Sequence, residues 1–307
     1  MSPLVDIVIP THAHARLLPY SVRSAQEQSV TDLRIIIVGD GIGDDTRDAV
    51  HELMRSDDRI VFHDLPKAGG RTGEAHRNPI VGSSDATYIT YLCDDDLFFP
   101  DHVETMIELL RDADLAVPPE TRLLRDGSIS SSPWSLGDES GRRRALSGVG
   151  LFSLTGLSHT MDAYRRLPFG WRETPVGLGS DQYMIMQFLE QDWCRCALAD
   201  LTTTVHLPTY DRRGMSDDER FVELRTVAVT MFDHDGWADF RHRAHTDLRL
   251  QALAFSQLSE APPDAELTRL RDELRATQQH VRNLEDIIED RERQLERLRH
   301  RSWFRRG

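Results

Sequence analysis

Three consecutive aspartates, Asp94, Asp95 and Asp96, follow an apolar run from Ile89 to Cys93. Such a run reads as a buried strand, and Pro100 then opens a helical pattern that reaches Leu110. Carboxylates crowded at the carboxyl end of a strand repel one another. A bound divalent cation relieves that repulsion, and hard oxygen ligands suit Mg²⁺ or Mn²⁺, ions that commonly arrive with a phosphate. The competing use of such residues is at a helix N-terminus, where Asp caps free N–H groups and faces solvent.

The elements around the aspartates set the context. Val5 to Ile9 is a short apolar strand that stops at Pro10-Thr11, and a helix follows over Leu17 to Gln28. Leu33 to Val38 is a nearly unbroken β-branched run, the pattern of a parallel strand covered on both faces. It ends in a loop, Gly39 to Thr46, that leads into a helix reaching Met54. Arg59 to His63 is a third strand, then comes a glycine-rich basic loop from Lys67 to Gly73, then a helix over Ala75 to Gly82. Alternating strand and helix predict an α/β fold, a doubly wound, mostly parallel sheet. Ligands in such sheets sit beyond the carboxyl ends of the strands, where Pro10, Thr11, Asp40 and the three aspartates all fall. Gly39-x-Gly41-x-Gly43 is not a dinucleotide fingerprint: Asp44 stands where the third glycine belongs, and the run follows the second strand rather than the first.

The formal charge of −14 argues against a nucleic-acid partner, which calls for a basic face. Three cysteines, Cys93, Cys194 and Cys196, form neither a disulfide framework nor a zinc spacing. No signal-peptide pattern precedes Val5, and no apolar run approaches the ~18 residues of a membrane span, so a cytoplasmic, reducing location is expected.

Four motifs in order carry a resemblance. They are Pro10-Thr11 with Ser24 to Gln28; Gly39-Asp40-Gly41-Ile42-Gly43-Asp44-Asp45-Thr46; His76-Arg77-Asn78; and Leu92 to Asp101. With them the chain resembles the family 2 glycosyltransferases of GT-A fold over residues 4 to 210. Two positions depart from the family pattern: Gly39 replaces an aspartate that commonly reads the nucleobase, and Ala13 replaces an asparagine. The resemblance implies transfer of a sugar from a nucleoside diphosphate sugar to an acceptor hydroxyl, with Mn²⁺ or Mg²⁺ on the departing diphosphate. It assigns Asp96 to the metal, and Pro10, Thr11, Asp40, Arg77, Asp94 and Asp95 to the nucleotide sugar. Lys67 and Arg71 are further candidates for the phosphates.

Beyond Ala116 the pattern loosens. Asp126-Gly127 is a hairpin signal between Thr121 to Leu124 and Ser128 to Ser132. Arg142 to Arg144 reads as a solvated face or a contact for an anionic acceptor. Leu151 to Leu157 reads as a strand, with His159 after it expected to line the acceptor site. Met161 to Leu167 reads as a helix. Gly170-Trp171-Arg172-Glu173 followed by Ser180-Asp181 resembles the family's second landmark, which makes Asp181 the general base of an inverting displacement. Trp171 is a sugar-stacking platform or a core residue. Asp200 to Leu207 reads as a late strand, and His206 near its end sits where many GT-A enzymes place a metal-binding histidine. Arg212 and Arg213 lie in a loop that could close over the diphosphate.

Ser216-Asp217-Asp218-Glu219 is a capping box that starts a helix, and a second helix covers Trp237 to Leu258. After Pro262-Pro263, Leu267, Leu270, Leu274, Val281, Leu284, Ile288, Leu295 and Leu298 fall on a heptad seam that predicts a parallel homodimeric coiled coil. The tail from Arg297 to Arg306 sets Trp303 and Phe304 among arginines, a composition suited to peripheral contact with an anionic membrane or, in so short a stretch, to a disordered basic tail. The expected organisation is a nucleotide-sugar half at 1–115, an acceptor half at 116–215, a helical extension at 216–262, a coiled coil at 264–301 and a basic tail at 302–307. Two rivals remain at this level: a sugar nucleotidyltransferase, and a catalytically degenerate coiled-coil scaffold.

Overall fold

The computed structural model describes residues 2–69, 72–132, 136, 139–147, 152–175 and 177–260. The heptad seam, the basic tail and Arg71 lie outside the described residues. The chain divides into two units, residues 1–174 with 179–254, and residues 175–178 with 255–307.

In chain order the elements are β1 (Val5–Thr11), α1 (Leu18–Gln26), β2 (Leu33–Asp40), α2 (Asp44–Ser56), β3 (Ile60–Leu65), α3 (Glu74–Gly82), β4 (Tyr88–Tyr91), β5 (Leu97–Phe98) and α4 (His102–Leu110). There follow β6 (Leu115–Val117), β7 (Thr121–Leu123), β8 (Ile129–Ser131), α5 (Glu139–Leu146), β9 (Ser158–Thr160), α6 (Met161–Arg166) and α7 (Ser180–Leu189). The last are β10 (Cys196–Leu198), β11 (Thr204–Val205), a 3-10 turn at Thr209–Arg212, α8 (Asp217–Met231) and α9 (His234–Glu260).

Seven strands form the main sheet in the order β10-β6-β9-β4-β1-β2-β3. All its pairs are parallel except those of β9, which runs antiparallel to β4 and to β6. The α/β expectation therefore holds with one reversed strand. Successive residues of β1 and β2 point to opposite faces, so one apolar run serves two layers. Ile7, Ile9, Ile35 and Ile37 pack with Leu18 and Val22 of α1 and Val50 of α2. Val8, Ile36 and Val38 pack with Val81 of α3, Met161 of α6 and Phe188 of α7.

Two expected strands are shorter than their sequence pattern. Residues 152–157 are bends and turns, and the strand starts only at Ser158. Gly156 explains the break: its φ is +88° and a Cβ there would lie 2.7 Å from Pro118, so the chain turns against that proline. Of Asp200 to Leu207 only Thr204–Val205 joins a ladder, antiparallel to β5. The Asp126-Gly127 hairpin is present as β7 and β8.

The β5–β11 ribbon carries a third core. Leu97, Phe99, Val205 and Leu207 pack against Leu224, Ala228 and Met231 of α8 and Phe240 of α9. Both arms of the Ser216–Glu219 capping box form, which sets the first turn of α8. Among the described residues no helix is long and apolar enough to cross a membrane.

Asp6 lies in the middle of this apolar structure with no exposed surface. Arg34 on the neighbouring strand grips it with two hydrogen bonds, 2.8 and 2.7 Å, and Ser84 Oγ donates a third at 2.6 Å. Removing the guanidinium strands a buried carboxylate. Arg34→Ala is expected to cost about 3 kcal/mol in urea denaturation, whereas Asp44→Ala, at the exposed end of a pair with Arg47, leaves the midpoint unchanged.

Candidate active site

The parallel register brings the ends of β1, β2 and β4 together: Thr11 lies opposite Gly39, and Val8 opposite Tyr91. Beyond them the chain turns, and the turn decides where the three aspartates point. Asp94 and Asp95 occupy its apex, while Asp96 enters β5 and faces inward. Each carboxylate has a partner from a distant stretch. His14 Nδ1 donates to Asp94 Oδ1 at 2.9 Å. Arg220 of α8 donates to Asp95 Oδ2, and its other nitrogen lies 3.2 Å from His14 Nε2. His206 Nδ1 donates to Asp96 Oδ2 at 2.9 Å, Thr155 Oγ1 donates to the same oxygen, and Leu207 N–H donates to Oδ1 at 2.8 Å.

This arrangement brings the expected metal pair, Asp96 and His206, into direct contact. Asp96 has no exposed surface and both its oxygens are engaged, and His206 is bound to it rather than free beside it. Burial lowers the pKa of His206, but the charge and hydrogen bond of Asp96, with the charges of Glu120 and Asp95, outweigh it and push it up to about 9. The ligand atoms that converge belong to two overlapping groups, His14 with Asp94 and Asp95, and Cys93 with Asp95 and Asp96, each within 4.8 Å. Asp95 is common to both. Burial and the charges of Asp96 and Asp94 raise its pKa to about 6 against the pull of His14 and Arg220. A carboxylate so crowded gains most from a cation, and this donor set of carboxylates and imidazole fits Mn²⁺ or Mg²⁺. Cys93 is a poor fourth ligand, because burial and the neighbouring aspartates push its thiol pKa well up.

Asp40 stands at the end of β2, buried. Lys67 Nζ donates to it, Ala68 N–H donates at 2.6 Å, and His12 Nδ1 donates to its carbonyl at 2.7 Å. Gly73 is required beside it: its φ is +64° and a Cβ would lie 2.7 Å from the Asp40 carboxyl. Lys67 therefore closes the loop onto Asp40. Next to it Gly39 leaves little room for any side chain, since a Cβ would lie 3.2 Å from Phe62 and 3.3 Å from Ile42. Thr11 Oγ1 is buried with no hydrogen-bond partner among the described residues. Pro10 is half-buried beside it.

Arg77 is the most unusual side chain of the region. It is 2 % exposed, its guanidinium lies 4.4 Å from the Trp171 ring centroid, and Nη2 donates to the Thr72 carbonyl at 2.8 Å. Its Nε and Nη1 have no partner among the described residues. Burial lowers its pKa against the charges of Glu74 and Asp181. Orphaned donors in an interior arginine call for an acceptor that arrives with a ligand.

Asp181 opens α7 and is half-buried. Its Oδ1 accepts the Gln182 N–H at 2.8 Å and folds back over Gly179, where a Cβ would lie 2.7 Å away. Burial and the charge of Glu120 raise its pKa, opposed by the Gln182 hydrogen bond, Arg77 and His206. Glu74, which no motif singled out, joins this region to the loop before α3. One oxygen accepts from Thr72 N–H and Oγ1, at 3.0 and 2.8 Å, and the other from Thr174 N–H at 3.0 Å. Thr72 Oγ1 also reaches Ser180 Oγ at 2.9 Å.

Three further expectations are corrected. Trp171 and His159 do not face an acceptor: they are 1 % and 0 % exposed. Trp171 Nε1 donates to Tyr91 Oη at 2.8 Å, and Tyr91 donates to His159 Nε2 at 2.9 Å, a closed interior chain. Burial lowers the His159 pKa to about 4, so the ring is neutral and accepts that proton. Arg212 does not point to a diphosphate, because Glu223 holds it through two hydrogen bonds of 2.8 Å inside the protein. Arg142 is an internal tie rather than part of a solvated face, donating to the carbonyls of Leu189 and Gln191.

Residues 6–170 match the sequence profile of glycosyl transferase family 2. The chain belongs to that family. A 128-residue segment is 26 % identical to the GalNAc(5)-diNAcBac-PP-undecaprenol beta-1,3-glucosyltransferase of Campylobacter jejuni, covering 42 % of this chain and 41 % of that protein. A 134-residue segment is 32 % identical to the chondroitin synthase of Pasteurella multocida, covering 41 % of this chain but 14 % of the synthase. Among solved structures, the mannosyltransferase PcManGT of Pyrobaculum calidifontis, in complex with GDP-Man and Mn²⁺, superposes with a TM-score of 0.53 at 15 % identity, covering 94 % of this chain and 87 % of its own. Residues 1–349 of TarS from S. aureus, in complex with UDP-GlcNAc, superpose with a TM-score of 0.51 at 14 % identity, covering 75 % and 66 %. At such identities these structures show a common GT-A fold.

The orphaned donors of Arg77 give a stability prediction for the ligand-free protein. Arg77→Met keeps an apolar unbranched stem and removes the guanidinium with its two buried donor atoms that lack partners, so its thermal midpoint is expected to be no lower than that of the parent. A fall of several degrees in calorimetry would show that the guanidinium serves the fold through Thr72 and Trp171.

Proposed function

We propose that this glycosyltransferase moves a sugar from a nucleoside diphosphate sugar to an acceptor hydroxyl with inversion at the anomeric carbon, and that a divalent cation held at Asp95, with Asp94 and His14, takes part. The observation that carries this reading is the convergence of those three ligand atoms at the carboxyl end of β4. Bound there, Mn²⁺ or Mg²⁺ would supply positive charge to the departing diphosphate. Thr11, Asp40 and Arg77 hold the nucleotide, Arg77 with the two donors that lack partners in its absence. The GDP-Man and UDP-GlcNAc of the two solved structures name the class of donor; Gly39 leaves the base open.

Asp181 removes the proton of the attacking hydroxyl. A base works best with a pKa near the operating pH, and burial moves this carboxyl upward in that direction. The hydrogen bond from Gln182 N–H aims it, and attack opposite the leaving group inverts the carbon. The acceptor would be a lipid-linked or polysaccharide glycan, the classes named in the Campylobacter and Pasteurella relatives, or a small natural product. The heptad seam would make a parallel homodimer, and the basic tail would hold a cytoplasmic enzyme at an anionic membrane surface, near lipid-linked acceptors.

Two measurements test the reading. Thermal shift with UDP, GDP, dTDP and CDP, each with and without Mn²⁺, is expected to give a metal-dependent shift for one nucleotide. At a hundredfold excess over Kd the stabilisation would be about 2.7 kcal/mol. A folded protein that responds to none of them would have no donor site. The rate–pH profile tests the base. Asp181 must be ionised to act and its pKa is raised, so the acid limb should fall above the ~3.9 of a free aspartate. Asp181→Asn should lower kcat about 10²–10⁴-fold and remove that limb; a limb retained in the variant would assign it to another group.

A further inference from the structure

Arg220 belongs to no motif, yet it reaches the centre of the aspartate cluster from α8. Its side chain is 15 % exposed, it donates to Asp95, and its second nitrogen lies 3.2 Å from His14 Nε2. Because Arg220 donates to Nε2, His14 carries its proton on Nδ1 and passes a hydrogen bond of 2.9 Å on to Asp94. One guanidinium thus engages the whole His14–Asp94–Asp95 group in which a cation would sit. Its position is well defended. The Arg16 guanidinium lies 3.9 Å from the Phe221 ring centroid and pairs with Asp218, tying the first turns of α8 to the segment after β1. Leu224 in the next turn is buried in the core.

We propose that Arg220 is a built-in counter-cation that makes metal binding depend on the diphosphate: it occupies Asp95 while the site is empty and moves to the diphosphate when cation and nucleotide enter together. This rests on the cation site proposed above. The geometry gives the reason. Asp94, Asp95 and Asp96 set three carboxylates side by side, and the Arg220 guanidinium already holds the middle one, Asp95. A divalent cation alone must displace a guanidinium from the carboxylate it needs. A cation accompanied by a diphosphate gives the displaced guanidinium a better partner, since arginine binds phosphate oxygens through two donors at once. Linkage makes the effect mutual: whatever the nucleotide does for the cation, the cation does for the nucleotide.

Mn²⁺ affinity is read from the paramagnetic resonance of free Mn²⁺, with and without the nucleoside diphosphate that gives the thermal shift, in the full-length protein and in Arg220→Gln and Arg220→Lys. The parent protein is expected to bind Mn²⁺ at least fivefold more tightly with the nucleotide present. In Arg220→Gln, Mn²⁺ alone should bind at least fivefold more tightly than in the parent, the nucleotide more weakly, and the coupling should shrink towards unity. Arg220→Lys keeps the charge and should retain the coupling within about threefold, a small fraction of the ordinary allosteric range. Equal coupling in the parent and in a folded Arg220→Gln overturns the role given to Arg220 while leaving the cation site standing. Absence of Mn²⁺ and nucleotide binding in the parent itself overturns both.

Discussion

Three carboxylates in a row at the end of a buried strand are the constraint around which this protein closes. Neighbouring charges of one sign cost more as water is removed, and each of the three is shielded. The chain answers with a separate partner for each: His14 from the segment after β1, Arg220 from α8, and His206 from the residue after β11. Those partners lie 80, 125 and 110 residues away in sequence. The β5–β11 ribbon and the packing of α8 upon it acquire a purpose from this, because they deliver His206 and Arg220 to the cluster. Helix α8 thereby contributes to the aspartate cluster through Arg220.

Much of the sheet was legible because its signals are local. The β-branched run of β2 needs both faces covered, and the turn residues that follow each strand mark the ligand end. Pro10, Thr11, Asp40 and the aspartates were placed together on that reasoning, and the parallel register does bring those strand ends side by side. The direction of each aspartate was not legible. It depends on where β4 stops, and it stops at Tyr91, so that a turn and not a pleat orients Asp94 and Asp95 outward and Asp96 inward. The partners were equally hidden, since no spacing connects residue 14 or residue 220 to the cluster. Trp171 and His159 misled for a related reason: an aromatic residue near a strand end looks the same in sequence whether it faces a cleft or completes a buried hydrogen-bonded chain.

That buried chain bears on the site from below. Tyr91, the last residue of β4, accepts from Trp171 and donates to His159, and Tyr164 accepts from the Trp171 N–H at 3.1 Å while donating to Asn78 at 2.8 Å. Satisfied polar networks of this kind fix one geometry where a purely apolar core tolerates several. Here the geometry fixed is that of the turn after β4 and of Arg77, one residue before Asn78 and stacked on Trp171.

The donor and acceptor sides meet through Glu74. Its burial would favour the neutral acid, but its own backbone N–H, Thr72 and Thr174 all donate to it and hold its pKa below the ordinary glutamate range. A carboxylate stabilised in that way stays ionised and keeps its three donors in place. Thr72, so held, reaches across to Ser180 at the start of α7, next to Asp181. Gly73, just before α3, has a φ of +64°, and a Cβ there would lie 2.7 Å from the Asp40 carboxyl, so glycine alone fits beside Asp40. Lys67 and Ala68 thus hold Asp40, and Thr72 holds the start of α7. The proposed base, Asp181, therefore follows a residue whose side chain is held by the threonine that Glu74 fixes, so a carboxylate outside every motif sets the first turn of α7.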